Sequence, residues 1–183
     1  DLAYSEIYFD GNKPVSIFEV PGARDVAIEF HSLSKTYNMT GWRLAYAVGN
    51  PALVAGLGKI KTNVDSGAFQ AVQEAGIAAL SGDQGCVAAM RQVYAERRQV
   101  MKSGLARLGY DVAAADAGFF MWVATPKGLK SADVARRILE EAGVVVTPGI
   151  GFGAAGEGYL RLALTQEAPR LEEALARLGK LAW

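Results

Sequence analysis

The chain has 183 residues, 51% hydrophobic and 21% charged, a balance that excludes a disordered tail or fibrous repeat and allows one or two packed domains. Its 19 basic and 19 acidic side chains cancel, so no net field exists to hold a phosphate polymer and no nucleic-acid partner is expected. One cysteine, Cys86, excludes an intramolecular disulfide framework, and with one histidine, His31, leaves too few soft ligands for a zinc site. We expect no metal and a cytoplasmic location.

No apolar run reaches the roughly 18 residues that span a bilayer, and Asp1-Leu2-Ala3-Tyr4 lacks the order of a signal peptide, so no membrane partner is expected. The first residue is not methionine, from which we expect processing or membership of a longer polypeptide.

Val26 to His31 and Leu44 to Gly49 read as strands, with a polar loop between them. Asn50-Pro51 opens a helix that Leu53, Val54, Leu57 and Ile60 continue and that Asn63 to Gly67 interrupts. Ala68 to Leu80 reads as a second helix, and a long one runs from beyond Asp83 to Gly109, charged from Arg91 to Lys102 as a helix bridging two lobes would be. Beyond it the pattern predicts strands at Tyr110 to Ala113, Phe119 to Ala124, Val144 to Thr147 and Tyr159 to Leu164. Helices are predicted at Ser131 to Ala142 and Ala168 to Leu181. Alternating strands and helices give an α/β or α+β architecture, with a boundary inside the long helix near Met101 and no internal repeat.

The chemistry concentrates in Ser32-Leu33-Ser34-Lys35-Thr36-Tyr37-Asn38-Met39-Thr40-Gly41-Trp42-Arg43. A lone lysine on a solvated loop needs no explanation. Lys35, however, follows an apolar strand, lies beside two serines and precedes Arg43 by eight positions. A lysine near apolar strand ends can lose its proton and attack a carbonyl as a neutral amine. Two hydroxyls and a guanidinium nearby suit a phosphate on the same ligand.

Ser-x-Ser-Lys followed at this spacing by Gly-x-Arg resembles the pyridoxal-phosphate lysine signature of the class I and II aminotransferases of fold type I. The resemblance implies that Lys35 is the catalytic lysine and holds the cofactor covalently, and that Ser32, Ser34 and Arg43 contact its phosphate. Asp1-x-Ala3-Tyr4 resembles the family's Asp-x-Ala-Tyr strand end, which implies cofactor contacts for Asp1, at the pyridinium nitrogen, and Tyr4, at O3′. An anion beside that nitrogen keeps it protonated, so the ring can accept electrons.

Downstream, Arg161 alternates with Leu160 and Leu162 and so shares a strand face with Tyr159 and Ala163. The resemblance implies that Arg161 binds the substrate α-carboxylate through two parallel hydrogen bonds. Gly151-Phe152-Gly153-Ala154-Ala155-Gly156 satisfies G-x-G-x-x-G, but a dinucleotide fingerprint must open a helix, and here a strand follows. A mobile loop beside Arg161 is expected instead. His31 reads as a partly buried structural histidine, and Cys86 as a small buried apolar residue rather than a nucleophile.

Tyr37 to Arg43 together with Lys61 to Gln70 looks most like bacterial LL-diaminopimelate aminotransferases and their aspartate or alanine transaminase relatives. The resemblance covers nearly the whole chain but only the C-terminal half of a family member, with no match to the N-terminal half. It implies the end of a large α/β domain, with part of a connecting helix, over 1–100, and a small α+β domain over 101–183. It further implies amino transfer between an amino acid and a 2-oxo acid, a place in lysine biosynthesis, and a homodimeric full-length parent. A β-lyase, a decarboxylase or an acyl-CoA synthase shares the lysine segment. A non-catalytic fragment or binding module is a rival of another class, against which the joint presence of Lys35 and Asp1 argues.

Overall fold

Asn50 marks a boundary in atomic detail: its side-chain oxygen accepts from the backbone N–H groups of Ala52 and Leu53 at 2.9 and 3.1 Å, and Pro51 occupies the first turn. Two otherwise orphaned donors are satisfied and φ is preset, so a helix must start there. In the computed structural model, which describes all of Asp1–Trp183, this helix spans Pro51–Lys61.

The elements in chain order are α1 (Ala23–Val26), β1 (Ile28–Ser32), α2 (Leu33–Thr36), β2 (Ala45–Gly49), α3 (Pro51–Lys61), α4 (Gln70–Ser81), α5 (Gly85–Arg107), β3 (Phe120–Ala124), α6 (Ser131–Arg137), β4 (Thr147–Pro148), β5 (Tyr159–Ala163) and α7 (Ala168–Leu178). The chain divides into two compact units, Asp1–Arg91 and Gln92–Trp183, and the division falls within α5. No helix is long and apolar enough to cross a membrane.

In the first unit β1 and β2 form an antiparallel pair, in register from Ile28 with Gly49 to Ser32 with Ala45. Gly49 is required there: its φ is 146°, and a Cβ would stand 2.4 Å from the Ala27 carbonyl oxygen. Ile7, Phe9 and Leu33 are buried, while Val26, Phe30, Tyr46 and Val48 are exposed.

In the second unit β5 is central in an antiparallel sheet of order β3-β5-β4. Met121, Val123, Leu160 and Leu162 alternate into the core from one face of that sheet. Leu171, Leu175 and Leu178, at helical spacing, bury the apolar stripe of α7. Gly104 of α5 lets that stripe approach, since a Cβ there would lie 2.2 Å from Leu175 Cδ1.

Several boundaries differ from the sequence reading. Val26 ends α1 rather than opening a strand, because Gly22 in the left-handed region starts a turn that Ala27 N–H closes on the Ala23 carbonyl. The loop between β1 and β2 contains a helical turn, α2, and a 3-10 turn at Thr40–Trp42. Tyr110 to Ala113 makes only a bridge, Val112 to Val123. Val144 to Val146 stay outside the sheet: Gly143 leaves the preceding π-turn (Ile138–Ala142) at φ 62°, and pairing begins only at Thr147. Cys86 is exposed, not buried, because it lies in the first turn of α5.

Candidate active site

The lysine segment is a loop closed at its base by sheet hydrogen bonds. Beyond the last register pair, Leu33 N–H donates to the Leu44 carbonyl at 3.2 Å, so Ser34 to Arg43 must bulge from the hairpin end. Ser32 ends β1 and caps α2: its Oγ accepts from Ser34 N–H at 3.2 Å. Leu33 and Ser34 are buried, which anchors the turn and leaves Lys35 half-buried next to them. Thr40 Oγ1 donates to the Ser34 carbonyl at 3.0 Å, and Arg43 Nη1 donates to the Thr40 carbonyl at 2.9 Å. Arg43 takes a left-handed backbone, φ 54°, a conformation that costs a non-glycine residue about 1 kcal/mol and persists where surrounding structure imposes it.

Between Leu33 and Arg43 there is no acidic residue. Ser32, Ser34, Lys35 and Arg43 together offer two hydroxyls, an amine and a guanidinium, a donor set that fits an anion such as a phosphate ester. The residues present therefore fit pyridoxal phosphate at both ends of its chemistry, an amine for the aldehyde and donors for the phosphate.

The Asp1–Tyr4 segment lies beside β1, because Leu2 N–H donates to the Phe30 carbonyl at 2.8 Å. Asp1 Oδ1 accepts from Ala3 N–H at 3.1 Å, which orders the carboxylate, and Tyr4 is partly exposed. Leu2 and Ser5 line, with His31, Ser32, Thr36 and Tyr46, a cavity of about 440 Å³.

His31 is positioned by a buried acid that sequence reasoning missed. Its Nε2 lies 2.7 Å from Glu29 Oε1, and its ring stacks on Tyr46 with centroids 5.0 Å apart. The other carboxylate oxygen of Glu29 accepts from Ser16 Oγ and from Ile17 N–H, both at 2.9 Å. Burial alone would push the Glu29 carboxyl up, but these donors and His31 outweigh it and hold the group below the ordinary carboxylate range. Burial pushes the Tyr46 phenol up. The reading of His31 as structural agrees with this geometry.

Arg161 lies in the second unit, on β5, half-buried on the face opposite Leu160 and Leu162 as its alternation predicts. Its cross-strand partners are Trp122 on β3 and Thr147 on β4. The guanidinium carbon stands over the Phe120 ring at 4.1 Å and over the Phe152 ring at 4.4 Å, and no carboxylate of the chain pairs with it. A guanidinium held by rings keeps its planar set of N–H donors for a ligand.

Phe152 comes from the glycine-rich stretch, which forms 3-10 turns at Gly149–Phe152 and Ala154–Gly156 and then enters β5. No helix follows, so the G-x-G-x-x-G match has none of the geometry of a dinucleotide site. Its glycines serve backbone contact: a Cβ on Gly156 would stand 2.2 Å from the Gly149 carbonyl oxygen, and one on Gly149 would stand 1.9 Å from that of Gly156. Glu157 pins the stretch to α6, accepting from Ser131 N–H at 2.7 Å and Ser131 Oγ at 3.1 Å, while Ile150 N–H donates to that same hydroxyl at 3.3 Å. The backbone and hydroxyl donors of Ser131, helped by Gly158 N–H, hold the Glu157 carboxyl below its usual range. Phe120, Phe152 and the Glu157–Ser131 pair were not singled out from the sequence. The available signal was a large aromatic residue flanked by glycines, where nothing local could bury it.

Comparison with known proteins gives the family. Residues 1–178 match the family described as aminotransferase class I and II. An LL-diaminopimelate aminotransferase of Syntrophobacter fumaroxidans is 55% identical over 183 residues, covering 100% of this chain and 47% of the relative. One from Aquifex aeolicus is 56% identical over 181 residues, covering 99% and 47%. Among solved structures, substrate-bound BacF from Bacillus subtilis superposes with TM-score 0.93 at 34% identity, covering 99% of this chain and 46% of that one. An aromatic aminotransferase of Pyrococcus horikoshii gives TM-score 0.93 at 29% identity, covering 97% and 48%. The chain spans about half the length of the curated relatives it matches. With residues 1–178 matching the family, relatives more than half identical and the fold shared with solved aminotransferases, the chain belongs to the class I and II aminotransferases, a family of pyridoxal-phosphate enzymes.

Proposed function

We propose that the protein is an aminotransferase that moves the amino group of LL-diaminopimelate, or of a related amino acid such as aspartate or alanine, to a 2-oxo acid. Its setting is bacterial amino-acid metabolism, specifically lysine biosynthesis, in the cytoplasm and as a homodimer of the full-length protein. Residues 1–100 belong to the cofactor-binding large domain and 101–183 form the small domain.

The observation that carries this reading is the closed loop in which Lys35 stands next to buried Ser34 and Thr40 links the Ser34 backbone to the Arg43 guanidinium. Pyridoxal phosphate, when bound, supplies an electron-accepting ring that disperses the charge left as the substrate loses its α-proton. With pyridoxal phosphate bound, Lys35 would hold its aldehyde, and once displaced by the incoming amine its ε-amine would take the proton from the substrate Cα as general base and give it, as general acid, to the former aldehyde carbon. Asp1 keeps a proton on the ring nitrogen. The Tyr4 phenol donates to the ring oxygen. Ser32, Ser34 and Arg43 hold the phosphate. Arg161 grips the α-carboxylate through two parallel hydrogen bonds and so orients the bond to be broken.

The test is a donor and acceptor screen on the full-length protein, with LL-diaminopimelate, L-aspartate and L-alanine as donors and 2-oxoglutarate as acceptor. LL-diaminopimelate should be turned over fastest. Release of ammonia and pyruvate from a β-substituted amino acid, or acyl-CoA condensation without amino transfer, would replace this reading with a β-lyase or an acyl-CoA synthase.

A further inference from the structure

Phe152 is 49% exposed on a loop of glycines, a poor place for a ring whose function is to be buried. Its contacts are instead with Arg161 and Trp122. The Arg161 guanidinium carbon lies 4.4 Å from its centroid, and Trp122 meets it edge-on at 5.3 Å. Phe120 supports the same cation from β3 at 4.1 Å. The loop that carries Phe152 is fixed at both ends, by Ile150 N–H on the Ser131 hydroxyl and by the closely packed backbones of Gly149 and Gly156. Glu157, next along the chain, accepts from both the N–H and the hydroxyl of Ser131.

An arginine side chain carries much rotamer freedom, and a carboxylate accepts two parallel hydrogen bonds only from a guanidinium whose plane is already set. Attraction to an aromatic face supplies such a constraint without consuming any N–H donor. An acidic partner would supply it too, but would also occupy the donors and repel the incoming carboxylate.

We propose that Phe152 is a positioning residue for Arg161, keeping the guanidinium aimed at the substrate carboxylate, and that the Glu157–Ser131 lock acts through it. This rests on the reading of Arg161 as the carboxylate-binding residue and adds the side chain that preorganises it.

The experiment compares Phe152→Leu, Phe152→Tyr, Glu157→Gln and Arg161→Lys in the full-length holoenzyme. Donor KM and kcat are measured with whichever of LL-diaminopimelate, L-aspartate or L-alanine the wild type turns over fastest. Phe152→Leu should raise donor KM five- to tenfold with kcat within twofold of wild type, Phe152→Tyr should restore KM, and Glu157→Gln should raise it in the same direction as Phe152→Leu. If Phe152→Leu leaves KM within twofold while Arg161→Lys raises it more than tenfold, the inference is overturned and the role of Arg161 stands. A fall in kcat and thermal stability at unchanged KM would likewise overturn it, leaving Phe152 a structural residue. If Arg161→Lys itself leaves KM unchanged, the reading of Arg161 fails and the inference with it.

Discussion

The Thr40 hydroxyl donates to the Ser34 carbonyl at 3.0 Å, tying the turn that carries Lys35 to the turn that presents Arg43. Thr40→Val keeps the shape and deletes the donor. Losing one such bond costs about 0.5–1.5 kcal/mol. Because it fixes the geometry of the residues proposed to hold the phosphate, cofactor affinity in the full-length protein should fall roughly threefold to tenfold, read by absorbance titration with pyridoxal phosphate. An unchanged affinity would mean that the loop is held elsewhere.

Glu29 should report on pH. Its folded carboxyl is held below the ordinary range, so the charged form stabilises the native state above the ordinary carboxylate pKa. That contribution is lost as pH falls through the depressed folded value. Glu29→Gln leaves a buried donor of the Ser16, Ile17 and His31 set without its charged acceptor, at a cost of about 1–3 kcal/mol near neutral pH. Thermal midpoints measured from neutral to acidic pH should therefore converge for wild type and variant at the acid end. A gap that persists unchanged would show that the ionised carboxylate contributes nothing.

Gly156 and Gly151 separate close packing from loop flexibility. A Cβ at Gly156 meets the Gly149 carbonyl at 2.2 Å, whereas one at Gly151 meets nothing within 4 Å. Gly156→Ala should destabilise the protein by about 1–3 kcal/mol in denaturant unfolding, and Gly151→Ala should change stability by about 0.5 kcal/mol or less. Equal effects would contradict the packing account.

How much of this was legible in the sequence depended on whether the signal was local. Asn50-Pro51, the α7 leucines and the lysine loop are contiguous codes, and each could be read directly. Tyr110 to Ala113 and Val144 to Val146 have strand-like composition, but pairing depends on which distant backbone lies alongside. The first finds one bridge and the second none before Thr147. The same limit hid Glu29, whose donors include Ser16 and Ile17, and the pairing of Glu157 with Ser131. Arg161 was legible from alternation, whereas the rings against it were not.

Asp1→Asn tests the ring-nitrogen assignment. A charge pair near 4 Å is worth roughly 4 kcal/mol at an effective dielectric of about 20, so kcat in the full-length protein should drop by about two to three decades while the cofactor still binds. Near-normal turnover would remove Asp1 from that role.

The central claim is that Lys35 carries the cofactor. Borohydride reduction of the full-length holoprotein, followed by peptide mass spectrometry, should place the pyridoxyl group on Lys35, and Lys35→Ala should abolish both the label and the visible absorption. A label on Lys59 or Lys61, or one that survives Lys35→Ala, would contradict the account.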